Sequence, residues 1–452
     1  MLKGMSVAGP TLGCKVNQAE TDSMLDMLKA AGANIVEFDE KADIYIVNTC
    51  SVTNIADKKS RQMLHRARKM NPDGIVIAAG CYVQSAREIL EQDEAIDIVI
   101  SNNKKKSITE IVNDYINVRN NEKNAPGKDH EAMEYFVDIS RETEYEEMGG
   151  HVPVGHTRAY VKIQDGCNQF CSYCIIPYVR GRIRSRSQEA ILAEVSELAE
   201  AGIKEVVLTG IHISSYGKDK NNEGALIELI EAISKIKGIK RIRLGSLEPG
   251  IITEEFVERI SSNSKVCPHF HLSLQSGCDS VLKRMNRKYT CEQYFEKCDM
   301  LRKAYKSPAL TTDVIVGFPG ETEEEFAETV RYLTELNLYE MHIFKYSPRK
   351  GTVAAAMKEQ VAPEIKNERS DVLLKLAHDN KTAYEAQFEG CELEVLVEEV
   401  VKKDNKTYLR GHTERYMDIL IDVGDISMPE SFVNSFVYVT YTQNGGNLPL
   451  LL

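Results

Sequence analysis

Gln164-Asp-Gly-Cys167-Asn-Gln-Phe-Cys171-Ser-Tyr-Cys174-Ile-Ile-Pro-Tyr-Val-Arg180-Gly-Arg182-Ile-Arg184-Ser-Arg186 carries three cysteines at C-x3-C-x2-C spacing, directly after a strand-like run at Ala159–Gln164. Three soft thiolates this close on one loop can take three corners of a [4Fe–4S] cube. No fourth cysteine follows nearby, so one iron is left open for a substrate or cofactor. Structural zinc is the competing reading, but zinc wants four ligands and usually a second C-x2-C or a His pair.

Downstream of this loop, strand-like and helix-like segments alternate. Strands are expected at Glu205–Thr209, Arg241–Gly245, His269–Leu274, Asp313–Gly317 and Met341–Tyr346. Helical periodicity falls between them at Gln188–Ala201, Ala225–Lys237, Glu254–Ser261, Cys291–Tyr305 and Glu323–Leu336. With Ala159–Gln164 this makes six strand–helix units and predicts a partial (β/α)6 barrel at 158–387, whose chemistry belongs at the C-terminal strand ends. A helical stretch, Glu364–Phe388, leads to β-branched runs at Val395–Val401, Thr407–Arg410, Met417–Val423 and Phe432–Tyr441. Those predict a small all-β barrel at 388–452.

Upstream, 1–118 also alternates. Apolar runs at Ile44–Val47, Ile75–Ala79 and Ile98–Ile100, with a weaker one near Val7, are separated by helical patterns at Ala19–Ala31, Asn54–Met70, Gln84–Glu91 and Ile108–Val118. The α/β pattern predicts a doubly wound parallel sheet. Its first strand is short or irregular, because Gly9-Pro10 cannot complete a ladder. Residues 119–157 are polar and turn-rich, and read as a linker with one edge strand around Tyr135–Ile139.

Cys14, Cys50 and Cys81 each close one of these upstream runs, in Leu12-Gly13-Cys14, Asn48-Thr49-Cys50 and Ala79-Gly80-Cys81. Neighbouring strand ends of an open parallel sheet line one crevice. Three thiols far apart in sequence are therefore expected to converge on a second metal site, with Gly13 and Gly80 permitting close backbone approach. Cys267, Cys278, Cys291, Cys298 and Cys391 have no such placement and read as packing or surface thiols.

The 452 residues suffice for two or three domains, and no apolar run is long enough to span a bilayer. Eleven cysteines without an export signal at the N-terminus point to a cytoplasmic, reducing setting. Net charge of −12 excludes an indiscriminate nucleic-acid binder, so an RNA partner needs local basic patches. One is the helical Lys58-Lys59-Ser-Arg61-Gln-Met-Leu-His-Arg66-Ala-Arg-Lys69, with six Lys/Arg and no acid, shortly after Cys50. The other is the alternating Arg180, Arg182, Arg184 and Arg186, whose spacing suits phosphate contact from an extended strand.

With both triads placed, the chain resembles the methylthiotransferases of the radical S-adenosylmethionine (SAM) superfamily. The likeness rests on Gln164–Arg186, on Thr209-Gly210-Ile-His…Tyr216-Gly217, on Leu272-Ser-Leu-Gln-Ser-Gly277, and on Asp313-Val-Ile-Val-Gly-Phe-Pro-Gly-Glu321. It spans nearly the whole chain: an N-terminal domain with three cysteines, a radical SAM barrel and a C-terminal TRAM domain. Thr11-Leu-Gly-Cys-Lys-Val-Asn17, Asn48-Thr-Cys-Ser-Val-Thr53 and Gly411-His-Thr-Glu-Arg-Tyr416 are similar to the MtaB-type branch, which methylthiolates N6-threonylcarbamoyladenosine beside the tRNA anticodon. Val7-Ala-Gly-Pro10 departs from the regular strand expected there.

The resemblance implies two [4Fe–4S] clusters. One on Cys167, Cys171 and Cys174 would cleave SAM to a 5′-deoxyadenosyl radical; one on Cys14, Cys50 and Cys81 would present the sulfur. It also implies tRNA as substrate, a flavodoxin- or ferredoxin-like electron donor and a sulfur source, and makes Tyr173, Gly210, Ser246, Glu248 and Gln275 candidates for SAM contact. RNA recognition by the last barrel would rely on Tyr408, Tyr416, Arg410 and Arg415, since residues 388–452 hold eleven Asp/Glu against five Lys/Arg. Two rivals stand beside this: a protein methylthiotransferase acting on a ribosomal aspartate, and a non-catalytic zinc-stabilised RNA-binding protein. Anaerobically purified protein should be brown with about eight irons per chain; a colourless zinc protein would sink the cluster reading.

Overall fold

The structure, a computed structural model, describes residues 2–122, 133–149, 157–404, 406–424, 428–443 and 445–447. Much of the expected linker thus lies outside the described residues.

The first sheet has six strands: β1 (Ser6–Ala8), β2 (Asn34–Ile35), β3 (Ile44–Thr49), β4 (Ile75–Gly80), β5 (Ile98–Ile100) and β6 (Met133–Tyr135). They run in the order β2-β1-β3-β4-β5-β6, every neighbouring pair parallel. Every residue of β3 and β4 is buried. Alternate residues feed two cores: Ile44 and Ile46 pack on one face, Tyr45 and Val47 on the other. A sheet covered on both faces needs such continuous apolar strands. The first ladder stops at Ala8, before Gly9-Pro10, and pairing resumes at Thr11 opposite Asn48. The edge strand lies at Met133–Tyr135 rather than around 135–139, and the helix expected over Gln84–Glu91 is two short helices, Cys81–Ser85 and Arg87–Glu91.

The central unit contains β7 (Arg158–Asp165), β8 (Arg184–Ser185), β9 (Glu205–Gly210), β10 (Arg241–Leu244), β11 (His269–His271), β12 (Ala309–Val316) and β13 (Glu340–Lys345). β7, β9 and β10 form one parallel run and β11, β12 and β13 another. Single bridges, Ile242 to Val266 and Leu247 to Leu272, join the two into a curved wall of six parallel strands, with β8 antiparallel on its edge. Side chains alternate across this wall. Val161, Leu208, Ile242, Phe270, Leu310 and Met341 turn outward into the core beneath the helices. The alternate positions, among them Tyr160, Lys162, Arg243, His271, Asp313 and His342, turn to the concave side. That polar lumen is where the fold can admit a substrate.

The helix Pro363–Ala386 leads into β14 (Glu392–Lys403), β15 (Lys406–Thr413), β16 (Asp418–Asp422), β17 (Phe436–Thr442) and β18 (Gly445–Asn447), which close in the order β14-β15-β16-β18-β17. This small barrel docks under the wall, Arg241 donating to Glu394 and Arg243 to the carbonyls of Thr413 and Glu414. No helix among the described residues is long and apolar enough to cross a membrane.

Gly166, just past β7, has φ +71°, and a Cβ there would lie 1.8 Å from the Arg182 carbonyl oxygen. Gly166→Ala should therefore lose more than about 2 kcal/mol in urea unfolding of the metal-free protein. An unchanged midpoint would contradict this packing.

Candidate functional site

Cys14, Cys50 and Cys81 meet at the crevice where the strand order reverses, between β1 and β3, extended by β4. Cys14 caps the helix Lys15–Ala30, Cys50 follows β3, and Cys81 opens the short helix after β4. The glycines before Cys14 and Cys81 are required sterically. A Cβ on Gly13 (φ +104°) would sit 2.8 Å from the Cβ of Cys50, and one on Gly80 (φ +97°) 2.5 Å from Asn48 Oδ1. Burial pushes the Cys50 thiol up to about 11, and Cys81 and Cys14 act in the same direction. Thiols that oppose one another's ionisation bind as thiolates only when a cation offsets them.

Arg180 supplies one such charge. It leaves the loop after Cys174 and enters the first unit, where its Nε donates to Cys81 Sγ at 3.2 Å. Its other nitrogens donate to Glu20 (2.5 and 3.1 Å), Asn17 Oδ1 (2.6 Å) and Asp165 (3.1 Å). Glu20 also accepts from Lys105 and, at 2.7 Å, from Lys162, which reaches Asp165 at 2.6 Å. All five charged side chains are buried. Burial alone would lift the Glu20 carboxyl, yet Arg180, Lys105 and Lys162 hold it well below the usual range.

This corrects the expected arginine strip. Arg180, Arg184 and Arg186 are interior, with Arg186 on Glu147 and Glu194, so they cannot reach RNA phosphates. Arg182 alone is exposed, stacked 4.5 Å over Phe170. The helix Asn54–Met70 does present Lys58, Lys59, Arg61 and Arg66 to the surface, Arg66 paired with Asp39. In the terminal barrel, Arg410 is held by Asp418 and Glu399, Arg415 by the carbonyls of Lys306 and Ser307, and Tyr416 turns into the lumen.

Cys167, Cys171 and Cys174 sit on the loop at the C-terminal end of β7. The loop is pinned by Cys167 N to Gly181 O (3.0 Å), Ser172 Oγ to Arg284 O (2.8 Å) and Asn286 Nδ2 to Phe170 O (2.9 Å). Burial raises Cys167 to about 11 and Cys174 to about 12, with Cys171 adding to both. Arg287, which no sequence spacing singles out, donates to Cys171 Sγ at 3.3 Å and to Glu248 Oε2 at 3.0 Å. His212 lies 3.4 Å from the same Glu248 oxygen.

Of the SAM candidates, Glu248 joins His212 and Gln169 on a cavity of about 450 Å³. Ser246 shares a 2.7 Å hydrogen bond with Ser273. Gln275 (φ +79°) and Tyr173 line a second cavity, of about 280 Å³, with Cys174, Asp313 and Phe344. Gly210 is a close-packing position, since a Cβ would press on Ile213 at 2.9 Å. The far wall of the second cavity is Val52 and Thr53, directly after Cys50. Arg349, also unforeseen, fastens that wall by donating to Ser51, Asn54 and Asp57. The loop carrying Cys174 and the loop that follows Cys50 therefore face each other across one cleft.

A family profile described as the Radical SAM superfamily matches residues 161–333, and one described as uncharacterized protein family UPF0004 matches residues 6–101. The fold is also that of the radical SAM methyltransferase TsrM from Kitasatospora setae, at TM-score 0.55 and 15% identity over 76% of this chain and 77% of that one. Fold and cysteine loop together define a radical SAM enzyme. Bacillus subtilis threonylcarbamoyladenosine tRNA methylthiotransferase MtaB is 40% identical, with 92% of this chain and 90% of the relative aligned. The Aquifex aeolicus protein of the same name is 38% identical over 92% and 98%. A Thermoanaerobacter pseudethanolicus tRNA-2-methylthio-N(6)-dimethylallyladenosine synthase is 36% identical over 96% and 90%. The chain belongs to the radical SAM tRNA methylthiotransferase family, whose members use SAM and [4Fe–4S] clusters.

The residues present fit such clusters: each set offers three soft thiols, and each has one guanidinium on a sulfur. Arg180→Met would leave Glu20 and Asp165 buried with fewer cations. It should cost about 3–5 kcal/mol in unfolding of the metal-free protein, with Arg180→Lys intermediate. Equal stability of wild type and Arg180→Met would refute the network's role.

Proposed function

We propose that this enzyme transfers a methylthio group to an adenine carbon of N6-threonylcarbamoyladenosine adjacent to the tRNA anticodon. The observation that carries this is the single cleft flanked by Cys174 on one side and the Cys50 loop on the other. Substrate carbon, radical source and sulfur source have to meet in one place, and such a cleft brings them there. The threonylcarbamoyl substituent is the reading favoured by the names of the 40% and 38% identical relatives.

Three units divide the work: 1–118 presents sulfur, 158–387 generates the radical, and 388–452 closes the barrel floor, with 119–157 connecting the first two. Cys167, Cys171 and Cys174 hold one [4Fe–4S] cluster; Cys14, Cys50 and Cys81 hold the other. When bound, the clusters and SAM supply the radical and the methylated sulfur. Tyr173, Gly210, Ser246, Glu248 and Gln275 orient SAM, and Arg287 fixes Glu248 in place. Phe344, half-exposed in the cleft, offers a face for a base to stack on. Lys58, Lys59 and Arg61, which have no ion pair among the described residues, take RNA phosphates beside the cleft. A flavodoxin- or ferredoxin-like donor supplies electrons, a separate source replenishes sulfur, and the setting is the cytoplasm.

Nucleoside mass spectrometry of tRNA from a deletion strain tests this. The 2-methylthio form of N6-threonylcarbamoyladenosine should vanish while its unmethylthiolated precursor accumulates. Loss confined to N6-dimethylallyladenosine would overturn the substrate assignment.

A further inference from the structure

A threonylcarbamoyl group carries a carboxylate, and an anion drawn into a protein interior needs a cation or donors not already engaged. On the lumen face of the wall, Lys162 is held by Glu20 and Asp165, Arg241 by Glu394, and Arg243 by Glu205 at 2.8 Å. Lys345, at the mouth of the cleft, turns to Asn367. Lys15 differs: it has no carboxylate partner among the described residues. From the first turn of its helix its Nζ reaches into the lumen, 5.9 Å from the Tyr160 ring centroid and 5.7 Å from that of Tyr416.

Two further groups flank this spot, one a cation and one with unused hydrogen-bonding capacity. Arg158 lies 5.0 Å over Tyr416, and its buried Nη1 makes no hydrogen bond of good geometry. That nitrogen is ion-paired with Glu398 Oε1 at 3.2 Å, an oxygen shared with His412 Nδ1 at 2.8 Å, so Arg158 adds positive charge that one carboxylate only partly offsets. His269, 7% exposed and 5.2 Å from Tyr416, has a buried Nδ1 without a partner. Burial first, then Arg243 and Lys15, keep that imidazole uncharged, so it can donate or accept from Nδ1. The subsite also connects to the cleft. His271 follows His269 by one lumen position, stacks on His342 at 5.8 Å, and lies 3.4 Å from Asp313, which lines the cleft between the Cys174 and Cys50 loops.

We propose that Lys15, Arg158 and His269, walled by the rings of Tyr160 and Tyr416, form the subsite that takes the carboxylate on the N6 substituent of the substrate adenine. The inference rests on the substrate reading above and deepens it. Lys15 directly follows Cys14, so a substituent anchored there holds the purine beside the sulfur-presenting triad. Tyr416, with φ +67°, is brought in from the terminal barrel, which gives that barrel a part in choosing the substituent.

The test is binding of iron-loaded enzyme, without SAM, to three anticodon stem-loop RNAs. One carries N6-threonylcarbamoyladenosine, one the analogue with the threonine carboxylate converted to an amide, and one plain adenosine. Wild type should prefer acid over amide by about tenfold or more, the size of one charge-assisted hydrogen bond. Lys15→Met and Arg158→Gln, each at wild-type iron content, should erase that preference, and Lys15→Arg should keep it. Retained acid preference in both Lys15→Met and Arg158→Gln would overturn the subsite. Equal weakening toward all three RNAs would overturn it too, by making the contact one to backbone phosphate. So would a wild type that binds acid and amide alike while still methylthiolating the acid. A wild type that binds plain adenosine best and leaves the threonylcarbamoyl RNA unmodified would instead refute the substrate reading itself.

Discussion

The buried cluster of Arg180, Glu20, Asp165, Lys162 and Lys105 is the constraint on which the arrangement depends. Its members come from both α/β units, and no one of them could be buried without the others. Isolated charges in such an interior cost several kcal/mol each. Attraction offsets that only when every donor and acceptor is engaged, as the forked contacts of Arg180 and the shared acceptance by Glu20 achieve. The network therefore fixes the helix Lys15–Ala30 against β7. Cys14 at the start of that helix and Cys167 just past β7 are then no longer free to move independently.

With that distance set, the cleft follows from the wall. Alternation along most of β7 to β12 sends apolar side chains to the helices and polar ones to the lumen, so the interior of the half-open barrel carries many charged groups rather than a packed apolar core. A complete barrel fills its centre with side chains. Here six strands leave a concavity, and the helix carrying Cys14 and Glu20 occupies only the β7 side. On the opposite side His271 and Asp313 are partly exposed and His342 is exposed.

Much of this was legible in the sequence because local patterns carry it. Glu254–Ser261, Glu323–Leu336 and Asn54–Met70 fall where the periodicity placed them, and the cysteines stand at strand ends because apolar runs stop there. β12 begins at Ala309, four residues before the expected Asp313, because Thr311 and Thr312 look polar. In place, Thr312 is satisfied by donating to the Leu272 carbonyl at 2.5 Å. Gln275, expected just beyond a regular strand at His269–Leu274, turns left-handed, and β11 ends at His271. The arginine strip misled for a deeper reason. Alternating arginines look the same whether they face water or buried carboxylates, and the partners that decide it, Glu20, Glu147 and Glu194, are set by tertiary contact. Arg287 and Arg349 escaped notice for the same reason.

The two triads, so different in sequence spacing, converge on one solution at the level of charge. Each places a single guanidinium on one cysteine sulfur, Arg180 on Cys81 and Arg287 on Cys171, and each guanidinium is held by carboxylate, from Glu20 and Asp165 or from Glu248. A cubane held by three thiolates is anionic overall, and burying it calls for a nearby cation that cannot swing away. Lysine would supply the charge but not the planar fork that lets one side chain bind sulfur and carboxylate together. A fourth thiolate would add negative charge and close the open iron at once. Three cysteines and one anchored arginine would thus keep an open coordination site in a partly enclosed position, and the side chains on both sides of the cleft have that composition.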